Sequence, residues 1–522
     1  MVGEDVTLVS IVDTLCFAAR HWSLAEMSAD STHIPLSPLD HIPPQNYVKI
    51  ALYLPLKDGV RPEEAFSRLQ EGLQKTFIQL PWLSGKVHWQ PQTTPGWRPG
   101  QLEIRHGEVD THGPKPYQLK LNNLDDSISY DDLKDNGFST DEFEDHALLW
   151  APFLADINAG AEVFVAQANF MPGGCVLAMS TCHPSADGTA MITILKLWAS
   201  HCRGLDPASA VGQDDGLVLP QGSSDREILE RLWDDAGRGR AVSEMDPETW
   251  QLVGLDHPTR SLADAGDNAN GAPAAIPGAE DTEPPKVMKS SIFYISAAKF
   301  AELKKQSAED AGTKELSGND VATALIWRSL LKARTRAKQE TSTQDTGLAE
   351  LEMTVDGRPD FSEHLPSTYL GNVVFVNRPS LPLATLVSPE TTIGEVAKVI
   401  RKSAGTIHHA AMMDAYKLLR DVPDYGMRKL RFTSVHGTSM LITSLLMFPI
   451  EEICFGEAFF GNEGRPEAFR PLMSAFNRLF RISFILPRER HGGVEFVVSL
   501  FENEMDLLLE DEEFSKYALQ VS

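Results

Sequence analysis

His183 is the residue in this sequence best placed to act as a base. It follows an apolar run, Val176 to Met179, that predicts a buried strand, and it precedes a helical spacing of apolar residues that starts at Thr189. A histidine between a strand and a helix has fixed backbone on both sides, and its neutral imidazole can accept a proton near pH 7. Asp187 and Gly188 close the turn, so the carboxylate can cap the helix or pair with a base elsewhere.

A second His-x-x-x-Asp spacing, His106 to Asp110, lacks this setting. It follows only a short alternating run, Leu102 to Ile104, has no glycine after the aspartate, and leads into prolines rather than a helix. A spacing of two residue types arises easily by chance in a chain with 15 histidines. We therefore expect His106 to be a surface histidine.

Composition and charge restrict the possible partners. The 522 residues are 42% hydrophobic and 23% charged, as in an ordinary globular protein, and the formal net charge of -26 opposes binding to nucleic acid or to an anionic membrane. No run reaches the roughly 18 apolar residues of a membrane span. The five cysteines show neither metal-ligand nor disulfide spacing, which is typical of a reducing compartment. The N-terminus has Glu4 and Asp5 in place of a basic region, so we expect no signal peptide and a cytoplasmic protein.

Predicted strands and helices alternate in two halves of the chain, separated by a segment of different composition. Within residues 206–285, the stretch from Ala263 to Gly278 has few side chains able to anchor a core, and we expect a partly flexible crossover linker there. In the first half, a strand is predicted from Tyr47 to Leu56. A strand at Ser291 to Ile295 opens the second half.

Six blocks of the sequence resemble, in the same order, the characteristic segments of the BAHD acyl-CoA-dependent acyltransferases. The blocks are Leu36 to Asp40, Leu80 to Val87, Cys182 to Gly188, Ser317 to Trp327, Val355 to Asn372 and Ile442 to Gly456. Each block is weak alone, and their common order over most of the chain carries the resemblance. The fungal branch, which includes trichothecene acetyltransferases, is the more similar one.

The resemblance implies an α/β (α+β) fold with two chloramphenicol-acetyltransferase-like domains, each a mixed β-sheet flanked by helices. We place them at residues 1–205 and 286–522, joined by the crossover loop of 206–285. It also implies a monomer that needs no cofactor, uses acyl-CoA as cosubstrate and has a small-molecule acceptor. The implied reaction, in a channel between the domains, moves an acyl group, most simply acetyl, to a hydroxyl or amine of a secondary metabolite without a covalent enzyme intermediate.

The same resemblance implies roles for individual residues. His183 would deprotonate the acceptor, and Asp187 would pair with Arg358 to hold the histidine loop without touching substrate. The hydroxyl of Thr443 would lie near the tetrahedral intermediate. The other residues implied for the site are three structural ones, Gly188, Phe455 and Gly456, and a contact to acyl-CoA, Ser444.

The CoA phosphates need cations against the acidic background of this chain. Lys299, Lys304 and Lys305 lie on the helix predicted after the Ser291 to Ile295 strand and are candidates. Lysines on a solvated helix face are the alternative explanation.

Three departures from the family pattern affect the site. Leu445 replaces a tryptophan, so an indole donor is missing and Thr443, Ser444 or backbone groups must stabilise an oxyanion. Cys454 replaces the aspartate of an Asp-Phe-Gly-Trp-Gly block, and Glu457-Ala458 replaces its last two residues. We expect altered support of the site or altered donor handling rather than loss of the chemistry.

Two other functions stay open. One is a condensation- or cyclisation-type catalyst that takes carrier-tethered acyl groups. Condensation domains of peptide synthetases share the fold, but they carry two histidines where this chain has Cys182 and His183. Strand alternation points the side chain of Cys182 away from that of His183, which opposes a nucleophilic thiol, and no Gly-x-Ser-x-Gly elbow occurs. A non-catalytic binding paralogue is the other alternative. The presence of Asp187 and Arg358 opposes it, whereas the altered block at Cys454 favours it.

Overall fold

Strands and helices alternate along the described part of the chain. The computed structural model describes residues 31–124, 128–205, 217–257, 287–340, 347–427, 435, 437–488 and 491–522. The strands are β1 (Thr32–Pro35), β2 (Ile50–Pro55), β3 (Lys86–Trp89), β4 (Leu102–His106), β5 (Leu119–Asn123), β6 (Ala161–Glu162), β7 (Phe164–Met171), β8 (Gly174–Thr181), β9 (Lys289–Ile295), β10 (Leu348–Asp356), β11 (Val374–Asn377), β12 (Ser380–Pro382), β13 (Met440–Ser444), β14 (Ala468–Pro471), β15 (Ile482–Ile485), β16 (Val494–Leu500) and β17 (Leu519–Gln520).

Helices pack on the strands in both halves. They are α1 (Pro62–Gln79), α2 (Tyr130–Asp135), α3 (Asp145–Leu148), α4 (Gly188–Arg203), α5 (Ile228–Asp235), α6 (Pro247–Gln251), α7 (Ala297–Ala311), α8 (Gly318–Glu340), α9 (Arg358–Phe361), α10 (Leu383–Val387), α11 (Ile393–Ala404), α12 (His409–Asp421), α13 (Phe476–Leu479), α14 (Glu502–Leu509) and α15 (Glu512–Ser515). Among the described residues, no helix is both long and apolar enough to cross a membrane.

The N-terminal half contains a mixed five-stranded sheet with the order β14-β2-β8-β7-β5. Every residue of β7 and β8 is buried, so other parts of the fold cover both faces of these central strands. The strand β14 comes from the C-terminal half and pairs antiparallel with β2. A division of the chain at residue 286 therefore does not separate the two sheets completely.

A smaller antiparallel sheet, β1-β4-β3-β6, adjoins this half of the molecule. His106 ends β4, is half-exposed, and has its Nδ1 2.9 Å from the carbonyl oxygen of Gly107. Its setting agrees with the expectation of a surface histidine.

Helices α1 and α4 pack against each other on the N-terminal sheet. The indole N–H of Trp198 in α4 donates a 2.8 Å hydrogen bond to the carbonyl oxygen of Leu69 in α1. The ring of Trp198 meets Phe164 of β7 edge-on, with the centroids 5.8 Å apart. The apolar face predicted after Thr189 is thus the face that holds α4 to the sheet.

Part of the expected crossover linker is folded. Residues 217–257 contain α5 and α6, and Leu229 and Trp233 are buried in a cluster with residues of α12. The indole of Trp233 donates to the carbonyl oxygen of Met413 at 3.1 Å. Residues 217–257 are therefore an ordered part of the segment that we expected to be a partly flexible crossover linker, while Ala263 to Gly278 lies outside the described residues.

The C-terminal half contains a mixed sheet with the order β11-β10-β13-β15-β16-β9-β17, and β12 pairs beside β10. The strand β13 runs parallel to both of its neighbours, β10 and β15. Met440 and Ile442 face the C-terminal core, which includes residues of α8 and α11, whereas Leu441 packs against the N-terminal core. Because side chains alternate along a strand, Thr443 is on the same face as Leu441, toward the N-terminal half.

Candidate active site

His183 begins a short 3-10 turn, His183–Ser185, directly after β8. Its backbone is held from two sides. The N–H donates to the carbonyl oxygen of Asn46 at 2.9 Å, and the carbonyl accepts from the side-chain amide of Asn372 at 3.1 Å. Burial lowers the pKa of the half-buried imidazole, and the nearby carboxylate of Asp187 partly opposes this. The neutral ring, which can accept a proton, is therefore the form present at pH 7.

Cys182 is fully buried next to His183 and belongs to the N-terminal core. Burial raises the pKa of its thiol well above the ordinary value. A protonated thiol without access to solvent is a poor nucleophile. These properties agree with the expectation that Cys182 takes no part in chemistry.

Asp187 and Arg358 meet as a buried ion pair. The guanidinium Nη2 donates to Asp187 Oδ1 at 2.9 Å, and the two side chains are only 2% and 1% exposed. The same carboxylate caps α4 by accepting from the N–H of Ala190 at 2.9 Å, and its Oδ2 accepts from the N–H of Val373 at 3.0 Å. Asp187 is thus surrounded by donors that fix the loop, as expected for a positioning residue.

Arg358 connects this carboxylate to the chain around residue 370. It donates to the carbonyl oxygen of Tyr369 at 2.9 Å and to that of Gly371 at 2.7 Å. Burial alone would lower the pKa of Arg358, but the carboxylates of Asp187 and Asp356 raise it above its ordinary value. The guanidinium therefore stays charged in its buried position.

Gly188 allows the segment after β13 to touch the start of α4. A Cβ atom on Gly188 would lie 2.8 Å from Cζ of Phe448, closer than real Cβ contacts. Farther along α4, Lys196 forms an ion pair with Glu452. The structure thus brings together the two sequence blocks that contain His183 and Thr443.

Thr443 and Ser444 are half-buried at the end of β13. The hydroxyl of Ser444 accepts from the N–H of Leu446 at 3.4 Å. Leu445 is 7% exposed, packs in the N-terminal core, and donates its backbone N–H to Ile485. Since an apolar side chain fills this position, hydroxyl or backbone groups are the donors that β13 can offer to a substrate.

The altered block near residue 455 supports α4. The ring of Phe455 is buried edge-on against Trp198, with the centroids 5.7 Å apart. Gly456 has φ +94°, a conformation that favours glycine. Cys454 donates its S–H to the carbonyl oxygen of Glu463 at 3.2 Å, so the residue that replaces the aspartate still closes the loop. Glu457 and Ala458 are exposed.

The three candidate lysines lie on α7, which packs against α8 and α11. Lys299 pairs with Glu302 at 3.1 Å and Lys305 with Glu309 at 3.9 Å, while Lys304 is exposed. In the part of the chain that the structure describes, no hydrogen bond or ion pair joins these side chains to the His183 turn. Their role in binding CoA stays a prediction.

A second buried ion pair beside the His183 turn was missed by the sequence analysis. Arg226 Nη1 lies 3.0 Å from Asp40 Oδ1, with the two side chains 6% and 0% exposed. Asp40 and Asn372 stand in recognised sequence blocks, but no role was expected for either. Arg226 lies in the segment taken for a linker. The helical spacing of Leu229 and Trp233 was the signal for an ordered segment there.

Together these residues can hold a neutral base in a fixed orientation beside a strand end that carries hydroxyl groups. In the described ranges, no group of three or more His, Cys, Asp or Glu residues could hold a metal ion. The arrangement suits proton abstraction from a hydroxyl or amine.

Known proteins resemble the chain over most of its length. The Transferase family matches residues 132–515, and the trichothecene 3-O-acetyltransferase-like N-terminal domain matches residues 46–202. The chain is 31% identical to the isocyanide synthase-NRPS hybrid crmA of Aspergillus fumigatus over 93% of its own length, but it spans only 31% of that protein. It is 26% identical to an eremophilane O-acetyltransferase of Penicillium roqueforti, covering 93% of this chain and 98% of the relative.

Among solved structures, the fold is similar to that of the trichothecene 3-O-acetyltransferase of Fusarium sporotrichioides in complex with coenzyme A and T-2. The TM-score is 0.70 at 20% identity, covering 94% of this chain and 100% of the other. This likeness confirms the expected fold of two chloramphenicol-acetyltransferase-like halves.

Proposed function

The chain belongs to the Transferase family of BAHD-type acyltransferases, and we propose that it transfers an acyl group from acyl-CoA to a hydroxyl of a secondary metabolite with His183 as the general base. The observation that carries the proposal is the half-buried imidazole, whose pKa is lowered by burial, on a turn held by the buried pair of Asp187 and Arg358. A base in a fixed orientation can remove a proton as the acceptor oxygen attacks.

The proposed reaction needs no covalent enzyme intermediate. The imidazole of His183 takes the proton of the acceptor hydroxyl while the oxygen forms a bond to the thioester carbonyl carbon. The tetrahedral intermediate then collapses, the carbon–sulfur bond breaks, and the CoA thiolate receives the proton from the imidazolium. The products are the ester and free CoA, and the base is restored.

Thr443 is the proposed donor to the oxygen of the tetrahedral intermediate. Strand alternation directs its side chain to the N-terminal half, and the contact of Gly188 with Phe448 brings its segment to the helix that follows the His183 turn. Ser444 is a further candidate for contact with acyl-CoA, and Lys299, Lys304 and Lys305 are candidates for its phosphates.

An acetyl donor and a hydroxyl acceptor are supported by relatives that the chain matches along nearly their entire length. The eremophilane O-acetyltransferase is covered to 98%, so its activity belongs to the shared region. We further propose a cytoplasmic monomer with acyl-CoA as its cosubstrate and no separate cofactor, which is the organisation implied by the family resemblance.

The test is a mass-spectrometric assay of the purified protein with acetyl-CoA and a panel of terpenoid, polyketide and alkaloid alcohols. A mass gain of one acetyl group on an acceptor, lost in His183→Ala and retained in His106→Ala, is the expected result. Failure with every acceptor class and every short acyl-CoA, despite measured CoA binding, would favour a non-catalytic paralogue.

A second candidate function is transfer to or from a group tethered to a carrier protein. The match to part of an isocyanide synthase-NRPS hybrid favours it, because peptide synthetases move their substrates on carriers. The buried Cys182 opposes it, since condensation domains have a histidine there. Supplying the acetyl group as acetyl-CoA in one reaction and on a pantetheinylated carrier in another separates the two functions.

A further inference from the structure

We propose that Asp40, Arg226 and Asn372 form a second positioning cluster, which fixes the backbone of the His183 turn in addition to the Asp187 and Arg358 pair. The inference rests on the proposed function, because it concerns the base of that reaction. It adds three positioning residues that come from three distant parts of the chain.

Asp40 is the centre of the cluster. It is fully buried, and its Oδ1 accepts from Arg226 Nη1 at 3.0 Å and from the backbone N–H of Asn372 at 2.8 Å. The side-chain amide of Asn372 also approaches Oδ1, at 3.0 Å, and the N–H of Ser37 donates to Oδ2 at 2.8 Å. The carboxylate thereby orients both of its partners.

These two partners hold three consecutive carbonyl groups of the turn. The amide nitrogen of Asn372 lies 3.1 Å from the carbonyl oxygen of His183 and 3.1 Å from that of Pro184. Arg226 Nη2 donates to the carbonyl oxygen of Ser185 at 2.6 Å. A shift of the turn must break these bonds, so the orientation of the imidazole depends on residues that do not touch it.

The chain near Gly371 is packed directly on Arg226. A Cβ atom on Gly371 would lie 2.5 Å from Arg226 Nη1 and 2.5 Å from the hydroxyl oxygen of Tyr369. Tyr369 is fully buried. Its pKa is raised by burial and by the charges of Asp40 and Asp187, while the charges of Arg226 and Arg358 lower it in part. Both ion pairs therefore act on the same short stretch of chain.

Stability alone does not account for such a cluster. Desolvation offsets most of the attraction within a buried ion pair, and apolar residues of similar volume often stabilise a fold as well. Directed hydrogen bonds from a guanidinium and an amide to neighbouring carbonyls instead define the geometry of the turn.

The first test compares Arg226→Lys with the matched control Arg470→Lys. Arg470 is also buried and ion-paired, to Glu495 at 2.7 Å, and donates to the carbonyl oxygens of Gly137 and Phe138, away from the turn. Lysine keeps the charge in both variants but cannot reproduce the several directed bonds of the guanidinium. We expect both variants to lower Tm.

Only Arg226→Lys should lower kcat, by about 10- to 100-fold, with the KM for acetyl-CoA unchanged, because small displacements of a base have effects of this size. Both variants are assayed at a temperature where circular dichroism shows them folded. Equal kcat values for the two variants would overturn the proposal.

A second measurement separates this inference from the proposed function. The pKa of His183 is followed by NMR of protein labelled at histidine Cε1, and its signal is assigned by its loss in His183→Ala. If the cluster holds the turn, Arg226→Lys admits water and raises this pKa toward its ordinary value of 6.5, whereas Arg470→Lys leaves it unchanged. The result is decisive even if no acceptor is ever acetylated, and an unmoved pKa in Arg226→Lys overturns the proposal.

Discussion

His183 and Asp187 are four residues apart but are suited to different tasks. The carboxylate of Asp187 accepts from Arg358, Ala190 and Val373 and is almost fully buried, so its acceptor positions serve the fold. The imidazole of His183 remains half-buried and accessible, while its backbone is the part that is held. This division is the one that the proposed roles require, with His183 as the base and Asp187 as a positioning residue.

Replacing the base should remove activity while leaving the fold nearly intact. We expect His183→Ala to reduce kcat by about 10²–10⁴, the usual effect of removing a general base. CoA binding, measured by isothermal titration calorimetry, and Tm should change little, because the half-buried ring contributes little packing. His106→Ala, at the end of β4 in the small sheet, is the control and should behave as wild type. A His183→Ala enzyme with more than a tenth of wild-type turnover would remove His183 from the mechanism.

The lowered pKa of His183 predicts the shape of the pH profile. Because the unprotonated ring is the base, kcat/KM should rise with pH to a plateau, with a midpoint below the ordinary histidine value of 6.5. The free energy of unfolding should also increase with pH in this range, because His183 binds its proton at a higher pH in the unfolded chain than in the folded one. The contribution of His183 to stability is thus present above pH 6.5 and decreases as the pH falls below it. A midpoint above 6.5 would contradict the burial argument.

Among individual residues, the sequence predicted those whose role can be inferred from neighbouring residues or from the family resemblance. The setting of His183 between strand and helix follows from nearby apolar periodicity, and the partner of Asp187 followed from the family resemblance. Neither kind of evidence pointed to Arg226, because its role depends on a fold that brings it to Asp40, 186 positions away in the sequence. Tertiary contacts of this kind leave no pattern in one sequence.

The helix α4 connects the His183 turn to both halves of the molecule. Its N-terminus is capped by Asp187, its first turn meets Phe448 at Gly188, and Trp198 meets Phe455. A disturbance at its capped end should therefore reach the base and the strand β13 together.

A double-mutant cycle on Asp187→Asn and Arg358→Gln tests the capped end. Asparagine still caps the helix but removes the charge, and each single change leaves a buried partner uncompensated, at a cost of up to about 3–5 kcal/mol in unfolding free energy. The double variant should lose less than the sum of the two, by roughly 0.5–3 kcal/mol. Chemical denaturation supplies these free energies.

The control cycle pairs Arg358→Gln with Asp356→Asn. Asp356 also binds Arg358, at 2.8 Å, but its side chain is 38% exposed, so the coupling should stay below about 1 kcal/mol. Strictly additive effects of Asp187→Asn and Arg358→Gln would show that the two side chains do not interact, and would reopen a role of Asp187 in the chemistry itself.

Across the whole molecule, the two sheets are more interdependent than the sequence indicates. The alternation of strands and helices and the mixed sheets were predictable from periodicity and from the order of the six blocks. The pairing of β14 with β2 could not be predicted in this way, because a pairing between strands some 400 residues apart depends on the fold of both halves. The packing of residues 217–257 was not predicted, because the composition of the surrounding segment is typical of a linker.

This interdependence predicts that the molecule unfolds in one transition. The C-terminal half supplies β14 to the N-terminal sheet and Arg358 to Asp187, and Leu441 of the C-terminal sheet packs in the N-terminal core. If one half unfolded, the other would keep an exposed sheet edge and an unpaired buried carboxylate, both of which are costly. Differential scanning calorimetry should thus give a single peak.

Destabilising variants in opposite halves test whether the two halves unfold together. Arg481→Lys weakens the buried pair with Glu504, which lies on the C-terminal side, and Arg470→Lys weakens β14 in the N-terminal sheet. Each loses directed hydrogen bonds to a charged group, at roughly 2 kcal/mol. Since one cooperative unit has one stability, both variants should shift the entire calorimetric peak to lower temperature. A peak that splits in Arg481→Lys, with the upper part at the wild-type temperature, would show that the N-terminal half is stable without its partner and that β14 and Arg358 are dispensable for it.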